Sequence, residues 1–217
     1  MEDDDALVTG YDRGVDYKTM KDKLIKCYAE IVEGYNNLND DMRGYQSKKN
    51  KLLRKEIYII VSMIQLRNGS RITEAVDGFK QFIEEGVDLN DKINVKIAKS
   101  KSTKYKKDTK EAFRTKTRYR KMVYPIKWMG NEISEIENIR EYLENYKGDL
   151  NRRVLDYLLM NHNCNTHSLR YSCINYLLYD QKKEMALVAK FVGHSNVNQL
   201  VTYTQKKESD KLLDLDI

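Results

Sequence analysis

The feature that most constrains the fold is a long amphipathic stretch at residues 47–67. Its apolar residues recur at helical spacing and occupy one broad side of a helix (Leu52, Leu53, Ile57, Ile60, Val61 and Ile64). Asn68-Gly69 follows directly, and such a pair commonly ends a helix. We therefore predict one long helix over these residues, with its broad apolar side buried.

Other segments repeat the helical pattern on a smaller scale. A modest amphipathic stretch near the amino terminus carries Met20, Leu24, Cys27 and Ile31 at near-helical spacing. Further helices are predicted at about 73–85, 131–146 and 150–160, and three more within 166–205 that break near Asp180 and at Gly193.

Two stretches alternate between apolar and polar residues instead. They cover residues 93–98 and 118–124, and Pro125 closes the second. Alternation of this kind is typical of half-buried strands, so we predict that the two pair. The fold class expected from the whole pattern is mainly α with a small antiparallel β-sheet (α+β).

Composition narrows the class of protein. Of 217 residues, 41% are hydrophobic and 33% charged, which suits a globular chain and not a disordered one. No apolar run approaches the length that crosses a bilayer, and the acidic amino terminus is no signal peptide, so we expect an intracellular protein without membrane association. The three cysteines are expected to be reduced thiols (Cys27, Cys164 and Cys173). His162, Cys164 and His167 lie close together in the sequence, but they do not provide the four ligands with recognisable spacing that a metal site needs. We therefore predict no metal site.

The most basic segment lies between the two predicted strands, at residues 96–121. It contains twelve Lys and Arg against two acidic residues, a net charge of +10, whereas the whole chain carries +6. Charge this concentrated predicts binding to a polyanion, and DNA is the natural one. The alternative is a solvated loop that contacts nothing. The side chains expected to contact DNA are Lys96, Lys99, Lys104, Lys106, Lys107 and Arg114.

Residues 166–205 bring together side chains suited to chemistry on phosphate. His167 and Arg170 are three positions apart and share a helix face, His194 follows a glycine, and Tyr203 lies nine residues beyond His194. Two imidazoles and a guanidinium around a phenol suit an anionic substrate that the phenol attacks. A phosphodiester is the obvious candidate, because arginine donates two parallel hydrogen bonds to phosphate oxygens. Each residue alone would more often be packing or a surface charge, so the prediction depends on the joint pattern.

These residues resemble, in order and spacing, the signature of the tyrosine recombinase (phage integrase) catalytic domain: H-x-L-R, then L-G-H, then a tyrosine nine residues later. Tyr171 stands where a second histidine is common, and Val192 where leucine is usual. Upstream, residues 68–74 resemble the family's T-G-x-R-I-S-E turn. That turn presents Arg71 at the amino end of a helix, where backbone N–H groups also favour phosphate. We expect Glu74 to buttress the fold without entering the chemistry.

The resemblance implies the fold of that catalytic domain and the breakage and rejoining of DNA. Tyr203 would attack the scissile phosphate, giving a 3′-phosphotyrosine and a free 5′-hydroxyl. His167 would exchange a proton with the Tyr203 hydroxyl, and His194 would donate to a phosphate oxygen. Rejoining conserves the bond energy, so no ATP, cofactor or metal is implied.

Cationic groups complete the implied active site. Arg71 and Arg170 would brace the pentacoordinate phosphorane through charge-assisted hydrogen bonds. A lysine of the predicted hairpin would protonate the leaving 5′-oxygen. Lys101 is the first choice and Lys116 the rival, because the connecting loop is longer than usual in the family.

The resemblance also implies a domain organisation. Residues 1–46 would form a short helical, polar amino-terminal segment, residues 47–207 the catalytic domain, and residues 208–217 a tail. The aliphatic side chains of the tail would dock on a neighbouring protomer or on the chain's own domain. The implied partners are double-stranded DNA and further copies of the chain, as a tetramer on synapsed sites, acting with host DNA in the cytoplasm or nucleus of the host cell.

Three classes of function are open. The chain could be a site-specific recombinase that integrates or excises a viral or other mobile element, a type IB topoisomerase with the same chemistry, or a DNA-binding protein with an inactive site. The intact set of signature residues argues against the third class. The short chain with an apolar tail favours the first over the second, because strand exchange needs protomers that touch.

Overall fold

The computed structural model describes residues 15–98, 103–105, 112–114, 117–130, 133–194, 197, 198 and 200. These residues form seven α-helices and two two-stranded antiparallel sheets, which confirms the predicted class. The helices are α1 (Tyr17–Asn36), α2 (Tyr45–Asn68), α3 (Ile72–Ile83), α4 (Ile136–Asn145), α5 (Leu150–His162), α6 (Thr166–Asn175) and α7 (Met185–Phe191). The strands are β1 (Lys92–Lys96), β2 (Thr103–Tyr105), β3 (Ala112–Arg114) and β4 (Tyr119–Val123).

Helix α2 is the predicted long helix, and it packs against α1, α3, α5 and α6. Residues 59–66 are all buried, polar Ser62 and Gln65 included, so α2 is enclosed on every side there and not on one face alone. The helix ends at Asn68, and Gly69 caps it with a left-handed φ of +54°. A Cβ on Gly69 would lie 2.9 Å from Val192 Cγ1, so both the turn and the packing require glycine.

The two predicted strands pair as β1 and β4. Lys96 lies opposite Tyr119 and Lys92 opposite Val123 in an antiparallel register. Val95, Arg120 and Met122 face inward, and the hairpin lies against α3. The sequence did not predict the second sheet, in which β2 and β3 pair within the basic segment.

The predicted helix at residues 131–146 begins later than expected. The chain forms a short 3₁₀ helix at Ile126–Met129, and α4 starts only at Ile136. The Ser134 N–H donates to the Tyr28 hydroxyl at 3.1 Å, so the backbone before α4 contacts α1 and does not enter the helix. Apolar spacing had suggested a helix through this stretch, and the contact with α1 overrides it.

The helices of the signature region follow the prediction. Helix α6 continues as one π-helical turn at Tyr176–Asp180, and α7 ends two residues before Gly193, which has a φ of +77°. The predicted breaks near Asp180 and at Gly193 are therefore confirmed, while a helix after Gly193 lies outside the described residues. None of the helices in the described part of the chain is long and apolar enough to cross a membrane.

Helix α1 contributes to the same hydrophobic core as α2. Its buried residues are Met20, Leu24, Tyr28 and Ile31, so Tyr28 takes the inward position expected of Cys27. The proposed domain boundary near residue 46 stays a prediction.

A buried carboxyl joins these two helices. The Tyr35 hydroxyl donates to Glu56 Oε2 at 2.8 Å, and Glu56 is fully buried. Burial raises the pKa of Glu56 to about 7. The folded chain therefore holds this proton more tightly than the unfolded chain. The resulting stability is fully present below pH 4.5 and is lost as the pH rises from there through about 7.

We expect Glu56→Gln, which stays neutral at every pH, to be more stable than wild type at alkaline pH. The gain in the free energy of unfolding should be on the order of 2–3 kcal/mol near pH 8 and should vanish only below the ordinary glutamate pKa of 4.5. Thermal melts of both proteins across this range test the expectation, with exposed Glu141→Gln as the control. A difference in melting temperature that does not change with pH would contradict it.

Candidate active site

Arg170 is the centre of the candidate site. It projects from α6 and is buried, with its Nη1 donating to Gly69 O and its Nη2 donating to Val192 O at 3.1 Å. The same Nη2 lies 3.0 Å from His194 Nε2. Because a guanidinium only donates, His194 Nε2 accepts in this contact and its proton lies on Nδ1. The structure thus brings predicted residues Arg170 and His194 into direct contact.

The turn that carries His194 depends on its glycine. The left-handed Gly193 is buried, and a Cβ there would lie 3.2 Å from Arg120 Cδ and 3.3 Å from Ile97 Cδ1. The Arg118 Nη2 donates to Gly193 O at 3.1 Å. The Gly-His pair of the signature therefore has a physical basis, since the positive φ strains any other residue and a Cβ would press on Arg120 and Ile97.

Arg71 lies at the amino end of α3, as predicted. Its Nη1 donates to Glu74 Oε1 at 3.0 Å, and its backbone N–H donates to Glu74 Oε2 at 3.3 Å. Glu74 is fully buried, and its Oε1 also accepts the Ala98 N–H at 3.0 Å, just after β1. The Arg71 side chain is 27% exposed, so Glu74 anchors a guanidinium that still reaches solvent.

His167 lies in the first turn of α6 and is exposed. Asn165 caps this helix, because its Oδ1 accepts the N–H groups of His167 at 2.7 Å and Ser168 at 3.0 Å. Gln65 Nε2 donates to Thr166 O at 2.7 Å and to Ser70 O at 3.1 Å. This amide therefore ties the turn that bears His167 to the loop that bears Arg71.

Arg120 is a residue of this cluster that the sequence interpretation missed. It is buried on β4, its Nη2 donates to Asn68 O, and its Nη1 lies 3.7 Å from Glu74 Oε2. Burial lowers the pKa of Arg120 to about 10, and Glu74 opposes that shift. The alternation of β4 could have revealed it, because Arg120 shares the inward face with Met122.

Asn68 joins the end of α2 to the same strand. Its Oδ1 accepts the Val123 N–H at 3.0 Å, and its Nδ2 donates to Val123 O at 2.9 Å. The Asn68 side chain thus hydrogen-bonds to the backbone of β4 as a neighbouring strand would. The loop after α2 is consequently held by β4, α3 and α6 together.

The predicted residues of the basic segment and the predicted nucleophile are described to different extents. Lys96 is exposed at the end of β1, and the strands that contain Lys104 and Arg114 are described only as backbone. The remaining candidates lie outside the described residues: Tyr203, Lys99, Lys101, Lys106, Lys107 and Lys116. Leu200, three residues before Tyr203, is fully buried in the hydrophobic cluster that includes Val188 and Val192. Among the described residues, no three His, Cys, Asp or Glu side chains are grouped to hold a metal.

No family model matches the chain. Two viral proteins named "Putative integrase" are similar to it, and V10 of Sputnik virophage is 43% identical over 213 residues, which cover 97% of this chain and 92% of V10. The chain belongs to the tyrosine recombinase family of integrases. The resemblance inferred from the signature is thereby confirmed.

The second viral relative of this integrase is ORF241 of Acidianus two-tailed virus. It is 26% identical over 203 residues, which cover 94% of this chain and 67% of ORF241. Among solved structures, the XerH site-specific recombinase bound to difH substrate in a pre-cleavage complex aligns with 97% of this integrase and 55% of its own chain. That alignment has a TM-score of 0.41 and 14% sequence identity.

Proposed function

We propose that this integrase is a site-specific DNA recombinase that integrates or excises a viral or other mobile element. The observation that carries the proposal is the Arg170 guanidinium, which contacts Gly69 O, Val192 O and His194 Nε2. It joins signature segments that lie far apart in the sequence. The names of the viral relatives support the integration role.

In the proposed reaction, the Tyr203 hydroxyl attacks the scissile phosphorus and the bond to the 5′-oxygen breaks. The phenol proton passes to His167, whose exposed imidazole can reach a bound substrate. The leaving 5′-oxygen takes a proton from a hairpin lysine, and the DNA stays attached to Tyr203 through its 3′-phosphate. Attack by a 5′-hydroxyl on this phosphotyrosine reverses each step, so the atoms balance without a further reactant.

The arginines and His194 would stabilise charge on the transferred phosphate. Arg170 is held rigid by two backbone carbonyls, and Arg71 is held by Glu74. Donors fixed in advance need no reorganisation when charge develops, which is why such groups accelerate phosphoryl chemistry. With Nε2 of His194 accepting from Arg170, the donor to phosphate in this arrangement would be Nδ1–H.

Either hairpin lysine fits as the general acid. Ala98 is hydrogen-bonded to Glu74, and Lys101 lies three residues after it. Arg118 is hydrogen-bonded to Gly193, and Lys116 lies two residues before it. Chain connectivity keeps both within roughly 7–11 Å of an anchored residue. We keep Lys101 as the first choice and Lys116 as its rival.

Double-stranded DNA is the proposed substrate, and the basic segment at residues 96–121 its main electrostatic contact. Residues 47–207 would carry the catalysis. Strand exchange would require self-association, as a tetramer on synapsed sites, with the tail at residues 208–217 docking on a neighbouring protomer.

Covalent trapping on a library of nicked duplexes with random sequences tests the proposal. Cleavage beside a nick releases a short fragment, so the phosphotyrosine cannot be reversed and adducts accumulate. We expect adducts that survive denaturation, are linked through a 3′-phosphate and share a sequence. A folded protein that binds DNA but forms no adduct would contradict the proposal. Formation of Holliday junctions on the selected site would indicate a recombinase. A topoisomerase would instead relax supercoiled DNA without forming junctions.

A further inference from the structure

A second cationic site lies away from the signature residues, between α2, α4 and α5. It is a pocket of about 310 Å³, which we name the α2–α5 basic pocket. Lys51, Arg54 and Lys55 line it from α2, and Arg153 lines it from α5. No Asp or Glu lines it, and none of the four cations forms an ion pair with any residue that the structure describes.

Neighbouring cations on the same two helices behave differently. Lys49 on α2 pairs with Glu135 at 3.6 Å, and Arg152 on α5 pairs with Asp156 at 2.9 Å. Ion pairs of this kind neutralise cations across much of a protein surface. The four lining cations form no such pair among the described residues, and Asp156, whose charge also acts on Tyr58, is paired with Arg152. Positive charge is therefore concentrated around one concave site, which favours an anionic ligand.

Tyrosine hydroxyls complete the lining. Tyr58 comes from α2, and Tyr142 and Tyr146 come from α4 and its end. The rings of Tyr142 and Tyr146 stack at 5.2 Å, and Tyr58 packs against Tyr157 at 5.7 Å, so their orientations are fixed. Burial raises the pKa of Tyr58 and of Tyr142, so both hydroxyls keep their protons and can donate at neutral pH. Cations and hydroxyl donors without a carboxylate suit phosphate oxygens.

The pocket is connected to the candidate active site along one face of α2. Tyr58 and Gln65 are seven positions apart and share that face, and Gln65 bonds to Thr166 O and Ser70 O beside His167 and Arg71. The ten residues from Tyr58 to the end of α2 at Asn68 correspond to about 15 Å of helix. On one DNA strand this distance is on the order of four nucleotides.

We propose that the α2–α5 basic pocket binds backbone phosphates of the duplex on one side of the cleaved phosphate. The inference rests on the proposed function and adds a second point of attachment. Contacts to phosphate carry no sequence information, so the pocket would supply affinity and orientation and leave recognition of the site to other residues.

The other anionic candidate is the acidic tail of the chain itself, at residues 208–217. The tail also carries four aliphatic side chains that need apolar partners (Leu212, Leu213, Leu215 and Ile217). The pocket is lined by lysine, arginine and tyrosine alone, and no leucine, isoleucine, valine or methionine side chain of the described residues lines it. The lining therefore favours phosphate over the tail.

The test compares two double variants that remove the same charge from the same two helices. The pocket variant is Arg54→Gln with Arg153→Gln, and the control is Lys49→Gln with Arg152→Gln. Arg54, Arg152 and Arg153 are exposed and Lys49 is half-buried, so both proteins should fold, which thermal melts check. Affinity for a mixed-sequence duplex is measured over a range of salt concentrations. We expect the slope of log affinity against log salt to fall by about 1.8 for the pocket variant, at 0.9 for each lost phosphate contact, and to stay at the wild-type value for the control.

Duplexes with single neutral methylphosphonates place the contact on the DNA. A methylphosphonate roughly four nucleotides from the cleaved phosphate should weaken binding by wild type and by the control but not by the pocket variant. Equal salt slopes for the two double variants would overturn the proposal. An unchanged slope for the pocket variant together with a loss of self-association would also overturn it, because that result would indicate that the pocket binds the tail. Adduct formation by wild type at saturating DNA tests the proposed function separately. If no adducts formed, the proposed function would fail, but the difference in salt slope between the two double variants would still be measurable.

Discussion

Tyr203→Phe is expected to abolish covalent protein–DNA adducts while leaving DNA affinity unchanged. The substitution removes only the attacking oxygen and keeps the ring, so binding contacts persist. Loss of a nucleophile typically reduces the rate by a factor on the order of 10⁴ or more. Trapping on nicked duplexes and a parallel binding titration measure the two quantities.

Tyr119→Phe is the matched control for this experiment. Tyr119 is 62% exposed and lines a pocket with His194, so it is the described tyrosine best placed to compete as nucleophile. We expect this variant to form adducts at the wild-type rate. Adducts that persist in Tyr203→Phe and disappear in Tyr119→Phe would transfer the role to Tyr119, and peptide mapping of the adduct would identify the residue directly.

Arg170→Lys is expected to abolish cleavage and to destabilise the protein. A lysine ammonium cannot reproduce the planar fork that meets Gly69 O, Val192 O and His194 Nε2 together. At least one buried carbonyl would lose its donor, at a cost of about 1–3 kcal/mol. Thermal melts measure the loss of stability, and adduct formation well below the melting temperature measures cleavage by folded protein.

Arg120→Lys separates catalysis from structural support in the same cluster. Arg120 is also buried and also donates to a carbonyl beside the active-site loop, at Asn68 O, but it stands outside the recombinase signature. We expect a comparable loss of stability with cleavage still measurable. If folded Arg120→Lys were as inactive as Arg170→Lys, the integrity of the cluster would explain both results, and the proposed contact between Arg170 and phosphate would lose its support.

Much of the fold was predictable because its causes are local. Apolar spacing identified α2, and glycines with left-handed backbone ended α2 and the turn before His194 where the sequence indicated. Alternation identified β1 and β4. The start of α4 was wrong, because a contact from Ser134 to Tyr28 on a distant helix competes with the local helical preference.

The sequence by itself determined the helices, the hairpin and the order of the signature residues, since each depends on neighbours a few positions away. Only the tertiary structure decided that Arg170 reaches Gly69 O across 101 positions of sequence, or that Glu74 anchors Arg71 and lies beside Arg120. It alone gathered the cations of α2 and α5 around one pocket. No local spacing encodes these contacts, because the distance between remote segments depends on how α2 packs against the helices and the strand around it.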